Sequence, residues 1–180
     1  MAQWNLDPTH FGVTFAVRHM MVSTVRGRFS DASAQIDIDE EAPERSRVVA
    51  EIPTATIDTG MADRDVHLRS ADFFDAEQYP VMTFESTSVE RRGDEKFTIT
   101  GNLTIRDVTR PLTLRGEIQG PVADPWGNRR AGIELTGEID RETWGLVWNM
   151  GLETGGVLVG KTVKLAIEGE IVAAVPVAAM

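Results

Sequence analysis

The chain has 180 residues, 42% of them hydrophobic and 26% charged, which fits one globular domain with a substantial core and excludes a disordered chain. Its 28 acidic against 18 basic side chains give a net charge of −10, a field that opposes nonspecific attraction to nucleic acid or to an anionic membrane surface, though not docking through a local patch. It holds no cysteine, hence no disulfide framework, no thiol chemistry and no thiolate metal site.

Apolar residues fall on every second position along most of the chain, the mark of half-buried strands. Residues 3–7 read as a short first strand stopped by Asp7 and Pro8. Phe11, Val13, Phe15, Val17 and His19 share one parity of the next strand, and Gly12, Thr14, Ala16 and Arg18 share the other. Phe29 to Ile38 gives another, with Ala34, Ile36 and Ile38 facing inward. Asp39 to Arg45 is an acidic loop. Val48 to Ile57 is strand-like with apolar residues on both parities, so its faces stay open.

Alternation stops from Asp63 to Phe84. The spacing there turns helical, and Met61, Leu68, Phe73 and Phe74 can gather on one side of a bent segment over about 61–75. Ser70 is a candidate second N-cap without a capping box, and Pro80 ends the segment. Such an insertion among strands reads as a lid over a barrel mouth, a sheet edge or a cleft. Its charges, Asp63, Arg64, Asp65 and Arg69 around His67, read as local ion pairs.

Strands resume with Met82 and Phe84. Arg92 to Asp94 turns the chain into a strand with Phe97, Ile99, Leu103 and Ile105 inward, and a turn near Asp107 to Thr109 leads to Leu112, Leu114 and Ile118. Gly120 to Arg130 is a loop rich in turn residues. Ile133, Leu135 and Ile139 mark the next strand, Trp144 to Trp148 a short one, and Val163, Leu165, Ile167 and Ile171 the last, before a short uncharged tail at about 173–180. About eight or nine strands with one helix predict an all-β, antiparallel barrel more than a sandwich, as one domain over 1–180.

Gly101, Gly116, Gly137 and Gly169 lie on the inward parity of their strands. Either they are cavity-forming, leaving volume along the axis, or they let the strands coil as barrel closure demands. The inward set supplies the candidate ligand-binding wall: Phe11, Val13, Phe15, Val17, Phe73, Phe74, Met82, Phe84, Ile99, Leu103, Leu114, Ile133, Leu135, Val163 and Leu165. A wall with so few polar groups solvates hydrocarbon and rejects a sugar or nucleotide. His19 and Lys161 interrupt it near strand ends, where they meet a polar head or simply face water. Trp144 and Trp148 either line the pocket or stack at its rim, or else pack in the core.

Catalytic signals are weak. His10, His19 and His67 show no zinc-like spacing, no G-x-S-x-G elbow occurs, and no nucleophile, base and orienting group assemble. The reading is therefore no catalytic residues, no metal, no required cofactor and no enzyme. No run reaches the ~18 apolar residues of a membrane span. Trp4 already sits in a strand-like segment, leaving no room for a secretory leader, so a cytoplasmic location is expected.

The stretches WNLDPTHFGVTFAVRHM, GRF at Gly27 to Phe29, DRDVHLRSADFFDAEQYPVMTFES, TGNLTIRDVTRPLTL and DPWGNRRAGIEL follow one another in an order that resembles the YceI-like family, over most of residues 3–172. The resemblance implies an extended eight-stranded, lipocalin-like barrel whose apolar lumen holds a polyisoprenoid or similar amphiphilic lipid. Members of that family commonly carry Ser after the first His, where this chain has Phe11. The expectation is a protein that sequesters or transports a polyprenyl lipid or an isoprenoid quinone, with no nucleic-acid partner and an apolar rim suited to a homodimer. Two alternatives stay open: a lipid-modifying enzyme using His19 as base at the mouth, and a structural or interaction module with a filled core.

Overall fold

The computed structural model describes residues 1–174. Its strands are β1 (Ala2–His19), β2 (Ser23–Phe29), β3 (Ser33–Ile38), β4 (Arg47–Pro53), β5 (Ile57–Asp58), β6 (Val81–Arg91), β7 (Lys96–Ile105), β8 (Val108–Ala123), β9 (Arg129–Asp140) and β10 (Val159–Ala173), with one helix, α1 (Ala62–Arg69). Sheet neighbours run β10-β9-β8-β7-β6-β4-β3-β1, and β1 pairs with β10 to close the ring. The result is an eight-stranded antiparallel barrel, with β2 and β5 added beyond β1.

β1 is the seam. Its start pairs with β3, Trp4 facing Ile36, its later half pairs with β2, Phe15 facing Gly27, and its other edge runs along β10. Asp7 and Pro8 do not stop this strand, contrary to the sequence expectation. The register jumps from Leu6 opposite Ile171 to Phe11 opposite Gly169, so Asp7 to His10 form a wide bulge. Asp7 holds that bulge by accepting from the Thr9 amide at 2.9 Å and the Thr9 hydroxyl at 2.7 Å. Pro8 needs no ladder partner there.

Other boundaries also differ. Phe29 to Ile38 is not one strand: Phe29 ends β2, and β3 begins at Ser33 against a different neighbour. Val48 to Ile57 breaks at a 3₁₀ turn over Thr54–Thr56, and Val48, Ala50 and Ile52 take the inner face. The β7–β8 turn is the pair Arg106 and Asp107, with Arg106 at φ 58°. β8 continues to Ala123, which shortens the following loop. Trp144 ends a 3₁₀ turn (Arg141–Trp144) rather than starting a strand, so it and Trp148 share no sheet face. The expected tail is cut back as well: Ala173 pairs with Trp4, and 175–180 lie outside the described residues.

α1 follows β5 and stands over one end of the barrel. Leu68, Phe73 and Phe74 turn inward as expected, but Met61 stays exposed. Ser70 caps the C-terminus, not a second N-terminus: its hydroxyl donates to the His67 carbonyl at 2.6 Å. Arg64, Asp65 and Arg69 bond to Thr59 and to backbone carbonyls instead of pairing with one another, while the His67 ring pairs with Asp72 at 2.8 Å. Buried Asp65 accepts from the Thr59 amide (2.9 Å) and hydroxyl (2.6 Å), Arg64 donates to the Thr59 carbonyl, and Arg69 donates to the Ala55 and Ile57 carbonyls. The segment is thereby strapped to the 3₁₀ turn and β5.

Candidate functional site

The barrel encloses a cavity of about 500 Å³. Every strand of the ring contributes apolar side chains to it. Of the sequence-predicted residues, Phe11, Val13, Phe15, Val17, Phe73, Phe74, Met82, Phe84, Ile99, Leu103, Leu114, Ile133, Leu135, Val163 and Leu165 line it. Phe29, Ile57, Phe97, Ile105, Ile118 and Ile139 join them, and so do Arg141 and Leu146. Phe97, Ile105, Ile118 and Ile139 had the inward parity in sequence; Phe29 lay off the parity read as inward, Ile57 lay in the stretch whose faces stayed open, and Arg141 had no such signal.

The four inward glycines do not leave space, which corrects the cavity-forming expectation. A side-chain carbon built on Gly101, Gly116, Gly137 or Gly169 would come within 3 Å of a neighbour: the Phe84 ring, the Phe97 ring with Leu135, Leu114, and the Phe11 ring, respectively. Gly27 receives the Phe15 ring in the same way. Phe11, Phe15 and Phe97 each face their glycine directly across the ladder. The glycine lets a ring from the adjacent strand settle onto the barrel wall instead of standing along the axis. The lumen stays open because the rings lie aside, not because the glycines are bare.

His19, Lys161, Trp144 and Trp148 do not line the cavity. His19 is half-buried beside the turn that follows β1. Lys161 is exposed and pairs with Glu142 at 3.0 Å, a contact that raises its pKa. Trp144 is buried, its indole Nε1 donating to the Leu103 carbonyl at 2.9 Å, which locks the 3₁₀ turn under β7. Trp148 meets the His67 ring edge-on at 4.5 Å, and His67 in turn meets Phe73 at 5.1 Å.

The two ends of the lumen differ. At the lid end Leu68, Phe73, Phe74, Ile57 and Leu146 close the cavity over a buried guanidinium, Arg141. Arg141 donates from Nε to the Gly160 carbonyl at 2.8 Å and from Nη2 to the Val159 carbonyl at 3.3 Å, with the Leu146 carbonyl on Nη1. Burial pushes its pKa down. At the other end the wall ends in Glu40, Arg91, Asp94, Glu95 and Lys96, an exposed charged rim.

A charge cluster ties that far end outside the lumen. Arg130 Nη1 stands 2.6 Å from Asp7 and 3.0 Å from Glu170, and its Nε 2.9 Å from Asp124. Hydrogen bonds from Thr9 and Arg130 hold the Asp7 carboxyl far below the usual carboxylate range; those from Arg130 and Asn128 do the same for Asp124. Asp7, His10 and Glu170 stand close enough to share a cation, but the Arg130 guanidinium already bridges two of them. A second hollow, about 640 Å³, lies on the outer wall around Gly12, Gly132 and Ala166 and is rimmed by Glu117, Glu134 and Glu168.

A closed antiparallel barrel with an apolar lumen and a helical lid defines a lipocalin-like class of protein. Within it, this chain belongs to the YceI-like family: the YceI-like domain matches residues 4–171. It is 40% identical over 152 residues to Protein YceI of Salmonella newport, covering 83% of this chain and 79% of that one. The crystal structure of the Campylobacter jejuni YCEI protein is similar, with a TM-score of 0.73 at 34% identity over 85% of this chain and 87% of that one. A polyisoprenoid binding domain from Saccharophagus degradans shares the fold, with a TM-score of 0.73 at 15% identity over 97% and 100% of the two chains.

Proposed function

We propose that the protein binds a long isoprenoid, or an amphiphilic lipid like it, in the barrel lumen and sequesters or carries it. The observation that carries this reading is the lumen itself, about 500 Å³ walled almost wholly by hydrocarbon, a volume within the range of small-molecule sites. An apolar chain gains there by leaving water, whereas a sugar or nucleotide would lose hydrogen bonds with nothing to replace them. The charged rim around Arg91 and Lys96 leaves a place for a polar head at the open end. Family membership and the name of the Saccharophagus relative agree with this chemistry. No helix of the described residues is long and apolar enough to cross a membrane.

The lipid-modifying alternative gains no support from His19, which does not line the lumen and has no side-chain partner for its ring among the described residues. Native mass spectrometry after gentle purification tests the binding reading, with a bound lipid expected. A clean apo mass, with no uptake of offered polyprenyl lipid or isoprenoid quinone, overturns it. Ala50 lines the lumen opposite Phe84 in the ladder, so Ala50→Phe should abolish uptake at a stability cost of about 1–3 kcal/mol.

A further inference from the structure

The lumen explains the inward side chains but not the exposed ones. Large apolar residues gather outside the lid end, on two neighbouring tips. The turn after β1 carries Met20, Met21 and Val22, which are 45%, 60% and 78% exposed. The loop before β10 carries Met150 and Val157, also exposed. The tips are joined: the Met20 amide donates to the Leu158 carbonyl at 2.8 Å, the Leu158 amide to the Met150 carbonyl at 2.9 Å, and the Met21 sulfur lies against Gly156.

The turn works against its own sequence. Met20 and Met21 both take positive φ, 51° and 62°, while the Val22 amide donates to the His19 carbonyl at 3.2 Å. Asn and Gly suit such a turn; two methionines do not. Strained backbone that presents bare hydrocarbon points to contact with an apolar phase, where the unbranched Met side chain adapts to an irregular surface.

Charge beside the tip says which phase. Arg18 donates to the Met21 carbonyl at 3.1 Å and to the Thr24 hydroxyl at 3.3 Å, which fixes a cation behind the turn. Arg26 and Lys164 flank Ala16 on the two neighbouring strands. None of the three lies within 4 Å of a carboxylate among the described residues, although Glu138 faces Lys164 in the ladder. On a chain of net charge −10 this is a local basic band next to the exposed methionines. We propose that the lid end docks on an anionic phospholipid bilayer, the methionine tips entering the interface and Arg18, Arg26 and Lys164 meeting the headgroups.

Co-sedimentation with phosphatidylcholine vesicles, with and without phosphatidylglycerol and free of any isoprenoid, tests this independently of the lumen. The native protein should partition onto the anionic vesicles more strongly than onto the neutral ones. The double variant Met20→Asn/Met21→Gly supplies the residues the turn favours, so its Tm should stay level or rise while partitioning falls by about tenfold or more. Arg18→Gln with Arg26→Gln should remove the preference for anionic lipid. Absence of native partitioning overturns the proposal, as does unchanged partitioning of the methionine variant. It also fails if the native protein is a dimer that the variant dissolves with no vesicle binding, since the tips then meet a second copy of the chain.

Discussion

The two ends of the barrel solve one problem in opposite ways. Each must end a ring of strands without leaving polar groups stranded. The lid end spends its buried and half-buried Arg141, Arg69, Arg64 and Asp65 on carbonyls, amides or the Thr59 hydroxyl, and keeps its ion pairs, Lys161 with Glu142 and His67 with Asp72, nearer the surface. The far end pairs charge with charge, Arg130 with Asp7, Asp124 and Glu170, and Arg129 with Glu40. Neither a carbonyl nor an arginine titrates in the acid range, so the arginine contacts of the first end are indifferent to acid and brittle to truncation. The second tolerates truncation at its exposed pairs and feels acid.

Arg141→Ala should show the largest effect. It strands the carbonyls of Leu146 and Gly160 beside a buried site, the Val159 carbonyl keeping the Asn149 side-chain amide at 2.8 Å, and a loss of about 2–4 kcal/mol is expected from urea unfolding. A loss below about 1 kcal/mol would show that water reaches these groups and that the end is not dry.

The acid limb should come next and belong to the far end. Asp7 and Asp124 have folded pKa values depressed below the unfolded value of about 3.9. Their contribution is therefore fully present above that value and lost as pH falls from there toward the folded values. The urea midpoint should drop on acidification below about pH 4–5, and the double variant Asp7→Asn/Asp124→Asn should flatten that fall. Equal slopes for the two proteins would place the acid sensitivity elsewhere.

The smallest effect should be Arg129→Gln. It removes an ion pair with Glu40 at 2.8 Å in which both side chains are about half exposed, so the change in stability should stay within about 1 kcal/mol. A larger loss would assign the cost to the Trp4 ring, which Arg129 overlies at 5.6 Å.

The same contrast marks how far the sequence could be read. From β6 to β10 alternation is mostly regular, so most inward strand residues from Met82 to Leu165 follow from parity; Val89 does not, because a register shift between Ser86 and Ser88 brings the other parity inward. Parity failed where the chain left its period: the bulge at Asp7 to His10 hid the continuity of β1, and the 3₁₀ turn at Arg141–Trp144 imitated a strand through two tryptophans four residues apart. The inward glycines were correctly placed, but their role was not legible. A missing side chain shows in sequence, whereas the ring that fills its place comes from another strand. Arg141 gave no signal because its partners are carbonyls of distant residues, groups every residue has. The Arg130 cluster joins two of the stretches that carry the family likeness, yet only the fold brings Asp7 beside Arg130.

The seam between β1 and β10 has a consequence for biosynthesis. Phe15 finds Leu165 only once β10 has left the ribosome, about 150 residues later, so until then the β1 edge that β10 will cover has no partner. Joining such distant segments is a slow step. Until it is complete, the hydrocarbon that will wall the lumen is accessible to any chaperone or neighbouring nascent chain.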